Sequence, residues 1–252
     1  MKNPDYGIDA PTLVRFFFTA GVSVLALVLI FHYLIKTSPP ITIFVIVIFV
    51  IAAVYLIGMG TFMVYFSKVT KIQEREKQLN LVTWLGSELV LDVGCGRGLM
   101  LVGAAKRLNR AGKAIGIDIW QQQDQSNNTS AAAITNAKIE GVTDRVEVKT
   151  ADMRQLPFPE NHFDIVVSNW AVHNLALYSD RQKTLDEIIR VLKPHGKVII
   201  TDIVNQSEYA NHFTSRGMVN IQLHNNKTRD KILNIITFGS FAPSTIVANK
   251  SL

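Results

Sequence analysis

Residues 89–98 read Leu-Val-Leu-Asp-Val-Gly-Cys-Gly-Arg-Gly, a short apolar run that turns on three closely spaced glycines. Residues 99–108 then carry apolar side chains at helical spacing. A strand that hands over to a helix across glycines narrows the fold sharply. Glycines let backbone approach a ligand where a Cβ would clash, and the first helical amides face that ligand unpaired. The stretch reads as a cradle for a nucleotide-type cofactor. From residue 89 onward, strand-like runs alternate with helical segments, the pattern of a parallel sheet with helices on both faces.

Two features separate this turn from the dinucleotide fingerprint, in which Gly-x-Gly-x-x-Gly is followed by an acidic residue about 20 positions on. The third glycine comes one residue early, at Gly98, and position 99 is Leu. Asp92 stands two residues before the first glycine, where a carboxylate would repel a pyrophosphate and would suit the ammonium and sulfonium end of S-adenosylmethionine (SAM). Both features argue against an NAD-linked oxidoreductase. Asp92, Gly94, Gly96 and Gly98 together resemble motif I of the class I SAM-dependent methyltransferases. Four further stretches resemble that family in order. Residues 114–119 (Ala-Ile-Gly-Ile-Asp-Ile) look like its second strand, 145–153 its third, 157–169 its loop and fourth strand, and 192–200 the turn into its fifth.

The resemblance implies a Rossmann-like seven-stranded α/β sheet, closed by antiparallel strands near residues 219–223 and 245–248. It also implies roles for single residues. The backbone near Gly94 and Gly96, in one turn with Cys95 and Gly98, would lie against the methionine part of SAM, with Asp92 orienting the ammonium. Asp118 would hold the ribose, Ile119 would pack on the adenine, and Asp152 with the amide of Met153 would read the adenine edge. Cys95 itself reads as a small packing residue rather than a nucleophile.

Methyl transfer from a sulfonium is an in-line displacement with the methyl already activated, so the protein must position the acceptor and take up a proton where one is lost. In the family, methyl and acceptor meet after the fourth strand, here residues 168–175. His173 is a candidate general base, with a hydrogen-bonded loop histidine as the plain alternative. Trp170 either lines an apolar acceptor pocket or packs in the core, and Asn169 is a candidate for both catalysis and cofactor binding. Asn169 lacks the Pro-Pro-aromatic continuation of enzymes that methylate base or amide nitrogens, and the lone Cys95 does not make the cysteine cluster of arsenite methyltransferases. No His, Cys or carboxylate spacing points to a metal.

The N-terminal third has a different character. Residues 13–35 are nearly all apolar, and residues 41–66 contain no charged side chain. Each run exceeds the ~18–20 apolar residues that span a bilayer core, so the pair reads as a transmembrane α-helical hairpin broken at residues 36–40 by Pro39 and Pro40. A signal peptide has one short apolar core, and a buried soluble helix shows a polar stripe; neither matches. Lys68, Lys71, Arg75 and Lys77 follow the second run, against Lys36 between the runs, which marks the domain side as cytoplasmic. Glu74 and Glu76 interleave with those cations, so residues 71–77 read as a solvated helix rather than a lipid-binding patch.

The formal charge of +6 comes without a dense basic patch interleaved with aromatics, so nucleic acid is not indicated. One cysteine excludes intrachain disulfides and agrees with a reducing compartment. The expected organisation is a two-span membrane hairpin over residues 1–67, a linker or amphipathic helix over 68–85, with Ile72, Leu79 and Val82 as apolar contacts, and a methyltransferase domain over 86–252. Within the domain, helices are expected near residues 128–140 and 181–192, the latter capped by Asp180. The expected function is transfer of a methyl group from SAM to a small-molecule or lipid-like acceptor from the membrane. A non-catalytic SAM-binding scaffold or sensor is the alternative. Oligomeric state has no signature in the sequence.

Overall fold

The computed structural model describes residues 3–34, 39–225, 231, 233, 235–237, 241 and 243–252. It divides into two compact units, Gly7–Lys71 with Gln121–Asn127, and Met1–Tyr6 with Ile72–Trp120 and Asn128–Leu252.

The first unit is built on helices α1 (Pro11–Leu34) and α2 (Pro39–Tyr65), of 24 and 27 residues. At about 1.5 Å per residue both exceed the ~30 Å thickness of a hydrocarbon core. Both are long and apolar enough to cross a membrane. Pro39 and Pro40 form the first turn of α2, where a missing N–H breaks no helical bond; the rest of the expected break lies outside the described residues. Small residues bring the helices together: a Cβ on Gly21 would stand 2.6 Å from the Ile57 side chain, and one on Gly60 3.1 Å from the Phe18 ring. Phe16, Leu29, Ile43 and Ile51 are exposed. Beyond α2 the helix widens into a π-helical turn, Phe66–Thr70. Here Ser67 Oγ accepts from the amide of Asp9, and Lys71 Nζ pairs with the Asp9 carboxylate at 3.1 Å. Asp9 also bridges to Gln125, flanked by bonds from Ala10 N to Asp124 O and from Ser126 N to Ile8 O.

In the second unit, helix α3 (Lys71–Leu79) ends short of Trp84, whose indole N–H donates to the carbonyl of Leu79. Leu79 and Val82, on the apolar side of this amphipathic stretch, are buried. The basic run, however, is not a solvated helix. Lys71 and Arg75 are buried, Arg75 between Tyr6, Glu76 and Glu140, because each cation found an internal carboxylate.

Seven strands follow among the described residues: β1 (Leu89–Val93), β2 (Lys113–Asp118), β3 (Val146–Thr150), β4 (Phe163–Asn169), β5 (Leu192–Asp202), β6 (Val219–His224) and β7 (Ser244–Asn249). They form one sheet in the order β3-β2-β1-β4-β5-β7-β6, parallel except for β7, which runs antiparallel to both its neighbours. Helices α4 (Leu99–Ala105), α5 (Ser130–Ile139), α6 (Tyr178–Val191) and α7 (Gln206–Ser215) connect them. Strand side chains alternate between faces. Leu91, Val93, Val166 and Val198 join α6 and α7 in one core, whereas Val90, Ile165, Val167 and Ile199 join α3 and α4 in the other. Strand order reverses between β1 and β4, and ligands of open α/β sheets bind at the carboxyl ends beside such a switch point.

Two local expectations are corrected. Asp180 does not cap α6; the N-cap is Leu177, and Asp180 lies in the first turn with its carboxylate on Arg154, 2.9 Å away. Residues 193–196, expected as a turn, lie inside β5 as an irregularity, where the partner of β4 jumps from Leu192 to Lys197.

Candidate active site

The glycine turn is anchored on the neighbouring strand: the amides of Gly94 and Cys95 both donate to the carbonyl of Ile117 at 2.9 Å. Gly94 has φ +72°, and a Cβ there would stand 2.3 Å from the Cβ of Ala171. Gly98, at φ +83°, is the N-cap of α4. Backbone and neighbour thus leave no room for a side chain at Gly94, while Gly98 is held to glycine by its backbone conformation. Cys95 packs under the turn against Gly116, and burial pushes its thiol well above its ordinary pKa, as a packing role requires.

Asp92 is 1 % exposed at the carboxyl end of β1. One carboxylate oxygen accepts from the amide of Leu101 at 2.8 Å; the other, Oδ1, has no hydrogen-bond partner among the described residues. Burial, with the Asp118 charge adding to it, pushes Asp92 up to about 8 against the single opposing amide. An open buried carboxylate oxygen beside the Gly94 turn has the chemistry to take a cation that brings its own donors, as an ammonium does.

At the end of β2, Asp118 Oδ2 accepts from the amide of Gly96 at 2.8 Å and Oδ1 from the amide of Trp120 at 2.6 Å, so this carboxylate ties the rim to the second strand. Asn128 Nδ2 adds a third donor at 3.3 Å. Ile119, directly after it, is an isoleucine left 48 % exposed, which suits an aromatic base packed over it. Asp152 follows β3, but both its oxygens are held by Arg154 (Nη2 to Oδ2, 2.6 Å), which keeps its carboxyl below the usual range. A role at the adenine edge therefore requires Asp152 to share its oxygens with Arg154. Met153 packs against the core next to Gly94.

The structure brings the candidate catalytic residues to the end of β4, beside β5. Asn169 closes β4. Trp170 follows at φ +53°, rare for a bulky residue, with its amide on the carbonyl of Thr201 and its ring edge-on to Phe241 at 5.4 Å. His173 sits in a short 3₁₀ turn, Val172–Asn174, its Nδ1 against Asp202 Oδ1.

Sequence reasoning missed two groups. Asp202 ends the apolar run of β5 as Asp92 and Asp118 end theirs; that shared pattern was its available signal. The other is the N-terminal segment. The Asp5 carbonyl accepts from Arg97 Nε at 2.8 Å and from Asn136 Nδ2 at 2.9 Å, and Asn136 Nδ2 also donates to the Arg97 carbonyl inside the glycine turn. Tyr6, buried, donates to Glu140. Asn136→Ala removes three bonds at a site 2 % exposed. The variant should lose ~2–4 kcal/mol of stability, read by urea unfolding of the solubilised chain, and its affinity for S-adenosylhomocysteine should fall with the loosened turn. Unchanged affinity would sink the second half of that expectation.

Comparison with known proteins agrees with this geometry. Residues 91–200 match a family model described as a methyltransferase domain. A sterol 4-C-methyltransferase of Caenorhabditis elegans is 30 % identical over 119 residues, 47 % of this chain and 32 % of the relative. A demethylmenaquinone methyltransferase of Symbiobacterium thermophilum is 36 % identical over 110 residues, 44 % and 40 % of the two chains. Among solved structures, a geranyl diphosphate C-methyltransferase from Streptomyces coelicolor, in complex with S-adenosylhomocysteine, aligns with a TM-score of 0.56 at 17 % identity, covering 71 % of this chain and 78 % of that one. Residues 91–200 are a methyltransferase domain, on the fold of the class I SAM-dependent methyltransferases.

SAM is the cofactor of this methyltransferase domain, and the β1 and β2 ends fit it. The chain spans about a third to a half of the length of the curated relatives it matches. The [4+2]-cyclase SpnF aligns with a TM-score of 0.60 at 19 % identity, 72 % and 81 % covered, which shows that this fold alone does not decide the reaction.

Proposed function

We propose that the chain is a membrane-anchored methyltransferase that moves the methyl group of SAM to a small or lipid-like acceptor, with its catalytic domain in the cytosol. The observation that carries the transferase reading is the open Oδ1 of buried Asp92 beside the glycine rim. Bound, SAM supplies a methyl activated by its sulfonium. Around it Asp92 neutralises the ammonium, Asp118 holds the ribose, Ile119 covers the adenine and Asp152 with Met153 borders its edge. His173 takes up the acceptor's proton, and Trp170 with Asn169 borders the acceptor. Helices α1 and α2 support the anchor, since apolar side chains cover their outer surfaces. The cytosolic side is supported by Lys68, Lys71, Arg75 and Lys77 after α2, against Lys36 between the two apolar runs. Sterol and demethylmenaquinone relatives support a hydrophobic acceptor drawn from the bilayer.

The test is calorimetric titration of the detergent-solubilised chain with S-adenosylhomocysteine, with Asp118→Ala as control, followed by a radiolabelled-methyl assay against membrane lipid extracts. Binding should be lost or weakened at least ~10-fold in Asp118→Ala, since charge-assisted bonds carry ~1.5–3 kcal/mol each. Binding without transfer to any extract favours the scaffold or sensor reading. No binding at millimolar ligand would remove both.

A further inference from the structure

We propose that Asp202 and Tyr209 are positioning residues that hold His173 in a single tautomer with Nε2 as its proton acceptor, and that the methyl acceptor is one that gives up a proton from the atom that is methylated. The inference rests on the methyltransferase reading above.

It follows from counting donors around one carboxylate. Asp202 is 1 % exposed. Its Oδ2 accepts from the amide of His173 at 3.1 Å and from the Tyr209 hydroxyl at 3.1 Å, and its Oδ1 accepts from the amide of Ile203 at 2.8 Å. Two of these three are backbone N–H groups, which only donate. Tyr209 is fully buried, and burial with the adjacent Asp202 charge pushes its hydroxyl above the ordinary range, so it too donates. A carboxylate whose two oxygens already accept from three donors meets its fourth contact, Nδ1 of His173, with a lone pair. Nδ1 therefore carries the hydrogen, and the lone pair of the neutral ring is at Nε2. The imidazole side chain keeps 19 % exposure. A buried acid orienting a partly open histidine is the arrangement by which hydrolases prepare a base.

Its place agrees with that task. His173 follows β4 and Asp202 ends β5, parallel neighbours paired through Asn169 and Thr201 at the carboxyl edge where Asp92 stands one residue before the end of β1. Trp170 and Phe241 present an aromatic pair at the same strand end. In the reaction the acceptor atom bonds the methyl carbon as the carbon–sulfur bond breaks, with its electron pair left on sulfur. The acceptor proton passes to His173 Nε2, so the positive charge that leaves sulfur reappears on an imidazolium beside the Asp202 carboxylate. A tertiary amine or thioether acceptor has no proton to give and would make no use of this base.

The test uses the full chain in nanodiscs with ¹⁵N-labelled histidine, the His173 signal being assigned by its loss in H173Q. The wild type should show Nδ1 protonated and Nε2 unprotonated. D202N, whose amide donates towards Nδ1, should reverse the tautomer, and Y209F should keep it. A wild-type His173 with its hydrogen on Nε2, or a D202N spectrum like the wild type, overturns the proposal whatever the activity. With methyl-labelled SAM and a membrane lipid extract, D202N should lower turnover ~10²–10⁴-fold while leaving S-adenosylhomocysteine affinity within about threefold. Y209F, which keeps the His173 contact, covers the case in which D202N does not fold, and should lower turnover by a smaller factor. Mass spectrometry of the product should find a methyl in place of a hydrogen. A permanently cationic product, or equal turnover in D202N, overturns the acceptor class. Failure of the wild type to bind S-adenosylhomocysteine would instead overturn the cofactor reading beneath it.

Discussion

Gly94→Ala should be the most damaging single-methyl change in the domain, lowering stability by ~2–5 kcal/mol and abolishing S-adenosylhomocysteine binding in calorimetry. Two costs combine. A left-handed backbone costs an L-residue ~1–2 kcal/mol, and Gly94 sits at φ +72°. The new methyl would also stand 2.3 Å from the Ala171 Cβ, so β1 and the post-β4 turn must part, an overpacking cost of ~1–3 kcal/mol. Gly141→Ala separates the two terms: Gly141 has φ +73° with nothing within 4 Å of an added Cβ, so it should show the backbone cost alone. At ~2–4 °C per kcal/mol for a domain of this size, Gly94→Ala should melt ~5–15 °C below the wild type. Equal losses in the two variants would mean that Ala171 yields freely and that the rim is not tightly closed.

Asp92 should make the empty protein less stable as pH rises. In the unfolded chain an Asp ionises near pH 4; in the fold burial holds Asp92 protonated up to about 8. Between those values the folded state binds one proton more than the unfolded state, so stability falls through that window and levels off above it. The whole effect is at most on the order of 5 kcal/mol. Asp92→Asn, whose amide oxygen can still accept from Leu101, should flatten the slope. It should also weaken S-adenosylhomocysteine binding ~10–100-fold by removing the charge that faces the ammonium. Titrations at pH 7 in buffers of different ionisation enthalpy should register about one proton released per ligand bound in the wild type and none in the variant. Matching proton counts in the two proteins would show that the ligand's cation settles elsewhere.

Much of this architecture was legible because it is local. Apolar runs at residues 89–91 and 114–117 end in carboxylates, and glycines that admit a tight turn follow the first, so strand, turn and helix follow from neighbours in the chain. The two apolar helices were legible for the same reason. What escaped depends on partners far away in sequence. Asp5 and Tyr6 look like part of a short polar tail, yet their partners Asn136 and Glu140 lie more than 130 positions on. Arg75 looked solvated beside Glu74 and Glu76, and only the fold reveals that Tyr6 and Glu140 close over it. Asp180 had the right spacing for a cap, but Arg154, delivered by the post-β3 loop, is the stronger partner. Asp202 shows the same limit: its position was visible, while its link to His173 needed β4 and β5 side by side.

Strand β7 is made last of the seven and lies between β5 and β6. On the ribosome, β5 and β6 are therefore both complete before the strand that joins them exists, and Val219–His224 has no neighbour to pair with while β5 shows an open edge. Nascent chains waiting at that stage are exposed to edge-to-edge association. A stop codon or frameshift just before Ser244 would leave the cofactor rim encoded in full on a chain that cannot close its sheet.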